Sequence, residues 1–491
     1  MAKQTGTTIP KAIAKVSSGI CGLDEILHGG FPAGRVTLLC GGPGSGKTFF
    51  GLEFLVRSAL AGRPGILVSF EERADAIRDN ALSLGWDLSA MEKSGRLFIL
   101  EARLDRHAIV AGDFDIDPLL AILQGQARRM NAACVVIDAV DAFMRVFRDP
   151  GREREEMGKL HDWLLDSRFT ALMTSKLSNA SGSPNGYEFL EYMTDCVLVL
   201  DQRVAGQVTT RRLRVLKYRG SGFGSNEYPF ILTEKGCLVM PVSMVSLDGK
   251  PQGDRLTTGI DALDALLPGG YRWGSVVLIT GPTGTGKTTL VCSFVRQACA
   301  RREKVLYIGF EESQEMMLAN MLSPGIDLRP ALDAGTLEIL ATMPESMGVE
   351  HHLFGALERI DRLGVDHVVV DAISACHRMG SEQAAFDYLV RLIDLCSRKG
   401  LTLFLINQLD ADQTQHDLST IGISSLIDTI VLLQYRRWDG RFGRTLRIYK
   451  SRGSSHSAGE HPFVITDDGV RIDPKGLQNE PDTETAGSTV D

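Results

Sequence analysis

Short apolar runs punctuate the chain, and stretches with helical spacing separate them. In the first half RVTLLC, GILVSF, CVVIDAV, FTALMTS and CVLVL are close to continuously apolar. A strand wetted on one face alternates polar and apolar residues. A run apolar at every position needs cover on both faces, which a parallel sheet flanked by helices provides. Segments such as FFGLEFLVRSALAG supply helices of that kind. The pattern therefore predicts an α/β doubly wound layout. Short turns separate the later strand-like runs RRLRVLKYR and PFILTEKGCLVM, so antiparallel strands are predicted on the C-terminal side of the sheet.

The whole pattern occurs twice. SGICGLDEILHGGFPAGRVTLLCGGPGSGKT (18–48) matches TGIDALDALLPGGYRWGSVVLITGPTGTGKT (258–288) at an offset of 240, as SFEE (69–72) matches GFEE (309–312). VVIDAV (135–140) matches VVVDAI (368–373), and RLRVLKYRGS (212–221) matches TLRIYKSRGS (445–454), both at 233. One net deletion of seven residues relates the halves, which is a tandem domain duplication. The predicted division is a flexible tail over 1–14, a first domain over 15–244, a linker over 245–254, a second domain over 255–472 and a disordered acidic tail over 473–491.

Composition narrows the class without naming it. The 491 residues suit two or three domains, and 23% charged with 44% hydrophobic residues suits a folded globular chain. A net charge of −8 argues against a broad nucleic-acid surface. The nine cysteines form no CxxC, and several lie inside apolar runs, as buried thiols of a reducing compartment do. No leader pattern and no apolar stretch of about 18 residues is present, so a soluble, cytoplasmic protein with no membrane partner is expected. His351-His352 lacks partners at metal spacing and reads as surface. The segment 148–166 reads as a solvated amphipathic helix with Trp163 toward the core.

The chemistry begins with GGPGSGKT (41–48) and GPTGTGKT (281–288), which both fit GxxxxGK[ST], each after a strand-like run and before a helix. Glycines let backbone N–H groups turn toward phosphate oxygens, and the helix N-terminus favours negative charge. Lys47 and Lys287 would reach the β- and γ-phosphates, and Thr48 and Thr288 would hold Mg²⁺. Asp138 and Asp371 end apolar strands at the edge that faces the ligand crevice, where a carboxylate holds Mg²⁺ directly or through water. Glu71–Glu72 and Glu311–Glu312 follow strands as well, and neighbours at a strand end point in opposite directions. One of each pair can orient a water or hydroxyl for in-line attack; Glu71 and Glu311 are the expected bases. Lys217 with Arg219, and Lys450 with Arg452, share a strand face in each half and suit a phosphate contact, reaching a neighbouring subunit's nucleotide if their own P-loop is too distant.

One pair of positions breaks the repeat. EFLEYMTDCVLVLDQ (188–202) aligns with IGISSLIDTIVLLQY (421–435), and there Glu191 and Tyr192 stand opposite Ser424 and Ser425.

Taken together, the paired P-loops, the FEE segments, the KxRGS strands and ISSLIDTIVLLQY resemble the KaiC family, double-domain RecA-like ATPases of circadian clocks and their relatives, over about residues 15–472. The resemblance implies two tandem RecA-like P-loop domains. Each would be a mostly parallel sheet covered by helices, with antiparallel strands added at the C-terminal side. It implies a hexameric double ring with ATP and Mg²⁺ between subunits, an N-terminal ring that hydrolyses ATP slowly, and a C-terminal ring that phosphorylates and dephosphorylates itself on two adjacent hydroxyls. Motif by motif, those hydroxyls are Ser424 and Ser425, where the family has Ser then Thr. The nucleotide contacts become Gly44, Ser45, Gly46, Lys47 and Thr48 in the first half. In the second they become Thr283, Gly284, Thr285, Gly286, Lys287, Thr288 and Thr289. Ser83, Arg444 and His456 match further contacts, Lys217, Arg219, Lys450 and Arg452 match contacts from the next subunit, and Glu311 joins Thr288 and Asp371 at the metal.

The chain also departs from that family. Phe223 replaces a histidine in the first KxRGS strand, and Pro324 replaces an aromatic near the adenine. The ending LQNEPDTETAGSTVD does not resemble the longer tail that docks a KaiA-like activator, so the resemblance does not carry that partner over, whereas a KaiB-like partner stays open. A DNA motor on the same core would need basic or aromatic channel loops. The candidates SNASGSPNGYEF (178–189) and DADQTQHDLST (410–420) contain no Lys or Arg, so no nucleic-acid partner is expected. A nucleotide-gated scaffold without turnover would not need the four glutamates.

Overall fold

The computed structural model describes residues 13–102, 115–147, 149–176, 188–205, 208–241, 253–409, 422–438 and 440–477. Most of both tails, most of the linker and almost all of the two candidate channel loops lie outside them. The chain divides into two compact units near residue 242.

In the first unit a two-residue ladder pairs β1 (Lys15–Val16) with β2 (Phe31–Pro32). The main sheet holds β3 (Val36–Gly41), β4 (Gly65–Ser69), β5 (Leu97–Glu101), β6 (Cys134–Asp138), β7 (Thr170–Lys176), β8 (Cys196–Ala205), β9 (Val208–Tyr218), β10 (Glu227–Thr233) and β11 (Gly236–Val239). Its nine strands run in the order β11–β10–β9–β8–β3–β7–β6–β4–β5. Strands β5, β4, β6, β7, β3 and β8 pair in parallel, while β10 pairs antiparallel with β9 and β11.

The second unit repeats this. A ladder pairs β12 (Arg255–Leu256) with β13 (Tyr271–Arg272). The sheet then comprises β14 (Val276–Gly281), β15 (Val305–Gly309), β16 (Leu337–Ala341), β17 (His367–Asp371), β18 (Thr402–Gln408), β19 (Thr429–Trp438), β20 (Arg441–Ser451), β21 (Glu460–Thr466) and β22 (Gly469–Ile472). The strand order is the same, β22–β21–β20–β19–β14–β18–β17–β15–β16. The doubly wound expectation and the added antiparallel strands are both present, once in each unit.

Period-two geometry explains the apolar runs. Leu38 and Leu39, neighbours on β3, enter opposite clusters: Leu39 packs with Phe50 and Phe54 of the helix Lys47–Leu60, and Leu38 with Phe143, Met157 and Leu160 on the other face. Each fully buried side chain of this size stabilises the fold by about 1.5–3 kcal/mol, so a helix is needed on each face before such a strand is stable. In the second unit Phe294 fills the same role against Tyr271 and Phe404. The helix Pro150–Asp166 forms as predicted, with Asp149 capping its first N–H groups and Trp163 packed at the cluster edge.

One local reading changes, and the buried-thiol reading holds with one exception. His352 is buried, its Nε2 3.0 Å from the Pro344 carbonyl, because it lies on the inward face of the helix Val349–Leu363. Eight cysteines are buried and Cys21 is exposed.

Candidate nucleotide sites

Each P-loop lies between the first parallel strand of its sheet and the helix that follows. In both loops two glycines take left-handed backbone angles, Gly44 and Gly46 at φ 72° and 98°, Gly284 and Gly286 at 77° and 96°. A side chain would be strained there. A Cβ on Gly46 would also lie 2.8 Å from Leu232, and one on Gly286 2.6 Å from Ile465. Helices Lys47–Leu60 and Lys287–Ala300 start directly after Gly46 and Gly286 with no side-chain cap, which leaves their first N–H groups available to an anion. Ser45 and Thr285 are buried, with the Thr285 hydroxyl donating to Pro282 O at 2.8 Å; Thr283 is exposed and Thr289 buried.

The lysines behave alike. Lys47 Nζ donates to Gly41 O (2.9 Å) and Gly42 O (2.8 Å), and Lys287 Nζ to Gly281 O (2.8 Å) and Pro282 O (2.9 Å). Burial lowers the pKa of each. A cation resting on neutral carbonyls beside an uncapped helix N-terminus is a donor set suited to an anion with several oxygens.

The two strand-end aspartates sit in matching positions with different neighbours. Thr48 Oγ1 donates to Asp138 Oδ2 and Thr288 Oγ1 to Asp371 Oδ2, both at 2.8 Å. In the first unit Thr174 of β7 also donates, to Asp138 Oδ1. In the second, Tyr307 of β15 donates to Asp371 Oδ2 at 2.5 Å. The support thus comes from the strand on one side of the aspartate in one half and on the other side in the other half. Burial pushes both carboxyls above the usual range, against the pull of their hydroxyl donors and of Lys47 and Lys287. A hydroxyl and a buried carboxylate beside a phosphate cradle match what Mg²⁺ with ATP requires. The peptide bonds following both aspartates are cis.

The glutamate pairs diverge. Glu71 Oε1 lies 2.6 Å from Lys176 Nζ and 3.9 Å from Arg145 Nη2. Its neighbour Glu72 is half-buried, and burial, then Asp138, then Glu71 raise its pKa. In the second half burial and then Asp371 raise the pKa of Glu311, against the pull of Arg378 and Lys287, while Glu312 accepts from Asn320 at 3.2 Å. Glu311, Glu312, Tyr307, Thr288 and Asp371 line one recess.

Lys217 and Arg219 on and just after β9 turn back on the segment before β8. Lys217 Nζ donates to Glu191 O and to Thr194 O (2.6 Å), and Arg219 Nη2 to Tyr192 O (2.6 Å). Lys450 and Arg452 repeat this on Ser424 O (3.1 Å), Ile427 O (2.6 Å) and Ser425 O (2.6 Å). What they hold differs: Glu191 and Tyr192 lie in a helix, Glu188–Met193, and Ser424 and Ser425 open an exposed 3₁₀ turn, Ser424–Leu426. Burial and the adjacent arginine lower the pKa of Lys217 and of Lys450.

The remaining expected contacts are spread out. Ser83 is exposed at the end of helix Ala74–Leu82, its hydroxyl on Asn80 O. Arg444 Nε reaches Gly284 O at 3.2 Å. His456 is half-buried, and its Nδ1 has no hydrogen-bond partner among the described residues. Phe223 packs against the first unit's core, and Pro324 is buried. Thr174, Lys176, Tyr307 and Tyr435 were not expected at the sites. Tyr307 had one available signal: it is a phenol within an apolar run where the first half has Leu67.

The fold and the doubled P-loop with its strand-end aspartate define a two-domain P-loop ATPase. The sequence model of the ATPase family KaiC matches residues 16–243 and again 256–476. The chain is 37% identical over 470 residues to the circadian clock protein KaiC2 of Synechocystis sp., covering 94% of this chain and 82% of that one. It is 35% identical over 465 residues to the circadian clock oscillator protein KaiC of Parathermosynechococcus lividus, covering 94% and 86%. Against the circadian clock oscillator protein KaiC of Synechococcus elongatus it is 34% identical over 464 residues, covering 94% and 89%. The chain belongs to the KaiC family of ATPases. Among the described residues no helix is long and apolar enough to cross a membrane.

Proposed function

We propose that this ATPase divides its labour, hydrolysing ATP in the first domain and transferring the γ-phosphoryl group of ATP to Ser424 or Ser425 in the second. The observation that carries the proposal is the contrast at matching positions. Lys450 and Arg452 hold an exposed turn of two serines where Lys217 and Arg219 hold a helix bearing Glu191 and Tyr192.

Lys287 and the loop's N–H groups orient the triphosphate. Mg²⁺ bound with ATP would be held by Thr288 and Asp371, with Glu311 close by, and would neutralise charge on the phosphate oxygens. The raised pKa of Glu311 makes it a better base than an ordinary exposed carboxylate. It takes the serine proton as Oγ attacks the γ-phosphorus; the Oγ–P bond forms, the bond to the β-phosphate oxygen breaks, and ADP leaves. In the first domain water is the acceptor, and Glu71 and Glu72 are the candidate bases. A phosphoserine adds about −1.5 to −2 charges beside Lys450 and Arg452, whose hydrogen bonds to that turn now end on neutral carbonyls. The turn can thereby report its own state. Six chains assembled as a double ring would bring Lys217, Arg219, Lys450 and Arg452 toward a neighbour's nucleotide.

Incubation of the full chain with γ-labelled ATP and Mg²⁺ tests the reading. Label should enter the wild type and be lost in Ser424→Ala/Ser425→Ala. An unlabelled wild type removes the kinase, and undiminished label in the double variant removes the site.

A further inference from the structure

The β19–β20 hairpin carries a feature that the first half lacks. Tyr435 on β19 donates its hydroxyl to Gly284 O at 2.8 Å, which anchors its ring to the second P-loop. Phe442 on β20 stacks on that ring, with centroids 5.3 Å apart and planes 9° from parallel. Arg444 lies 5.8 Å from the Tyr435 ring and shares the Gly284 carbonyl. Phe442 itself is 71% exposed. At the same places in the first half, 233 residues earlier, stand Gln202 and Thr209.

We infer that Phe442, backed by Tyr435, is a stacking platform for the base of the nucleotide whose phosphates occupy residues 281–288. The inference rests on the proposed nucleotide site of the second domain. A triphosphate in that loop leaves its ribose and base outside, and a base is a flat apolar surface that gains by covering a ring. Three features point to a base as occupant. The Tyr435 ring is pinned to the loop by a hydrogen bond, the Phe442 ring stacked on it is exposed, and the Arg444 guanidinium lies at hand for the ribose or α-phosphate. The second domain would then recognise the nucleoside, and the first would rely more on the phosphates.

The test uses the full chain carrying Lys47→Ala to silence the first loop, and calorimetric titration with Mg²⁺ plus either ATP or inorganic tripolyphosphate, which has no base. Phe442→Ala should weaken ATP about tenfold and leave tripolyphosphate unchanged, and Phe442→Trp should restore ATP. Equal weakening of both ligands, or no weakening of either, overturns the platform. If the Lys47→Ala chain binds neither ligand before Phe442 is touched, the nucleotide site itself fails, and the platform falls with it. A change in oligomeric state with ATP affinity intact would assign the ring to a contact between chains and also overturn the proposal.

Discussion

The two halves hold an aspartate at the same strand end and in the same bond to a P-loop threonine, yet they support it from opposite sides. Asp138 takes its second hydrogen bond from Thr174 on β7, and Asp371 takes its own from Tyr307 on β15. The positions have exchanged chemistry: Leu67 stands where Tyr307 does, and Ile406 where Thr174 does. The lesson is that duplication preserved the bond to the P-loop threonine and left the second partner free to move. A buried carboxylate needs more than one hydrogen bond, but not a particular donor. The glutamates drifted further, since Lys176 on β7 engages Glu71, whereas Gln408 stands at that place in the second half.

The largest test of this comparison is to remove one lysine at a time. Lys287→Ala should lower phosphoryl transfer to the serine turn on the order of 100-fold while the first domain still hydrolyses ATP. Lys47→Ala should do the reverse, so measuring label and free phosphate together separates the domains. If either substitution abolishes both signals, the halves do not work independently.

A smaller effect is expected at the second partners. A hydrogen bond to a charged group is worth about 1.5–3 kcal/mol, so Tyr307→Phe should lower kcat for serine labelling about tenfold or more and change KM for ATP little. Thr174→Val should do the same for hydrolysis and spare labelling. An effect on KM alone would show that these hydroxyls serve binding rather than the placement of the aspartate.

The smallest effect is one of stability. Burial raises the folded-state pKa of Asp371 above its unfolded value, so this group favours the fold at low pH and disfavours it as pH rises through the interval between the two values. Asp371→Asn removes the charge and keeps an acceptor for Thr288 and Tyr307. At neutral pH without nucleotide the variant should melt about 2–4 °C higher, the shift of about 1 kcal/mol in a domain of this size, while losing activity. A lower melting point would mean that the hydrogen bonds outweigh the buried charge.

Much of this protein is legible in its residue order. Continuous apolar runs, the doubled GxxxxGK[ST] and the strand-end aspartates depend on periodicity and on backbone geometry, which are local properties, so they read directly from residue order. The serine pair was legible because the chain contains its own control in Glu191 and Tyr192. The helix Val349–Leu363 was harder, because whether His352 faces in or out depends on which stripe the sheet covers. The glutamate pairs were harder still: adjacency on a strand says that one member points each way, but not that Lys176 waits for Glu71.

Residue order by itself determined the duplication, the α/β class, the two P-loops and the break between Glu191–Tyr192 and Ser424–Ser425, because each is written in neighbouring residues. Only the tertiary structure decided which side chains complete the sites. Thr174, Lys176, Tyr307 and Tyr435 reach them across hydrogen-bonded strands, from 36 residues away for Thr174 and 151 for Tyr435. Contacts of that kind come from strand order and register, which the folded sheet creates and no local pattern contains.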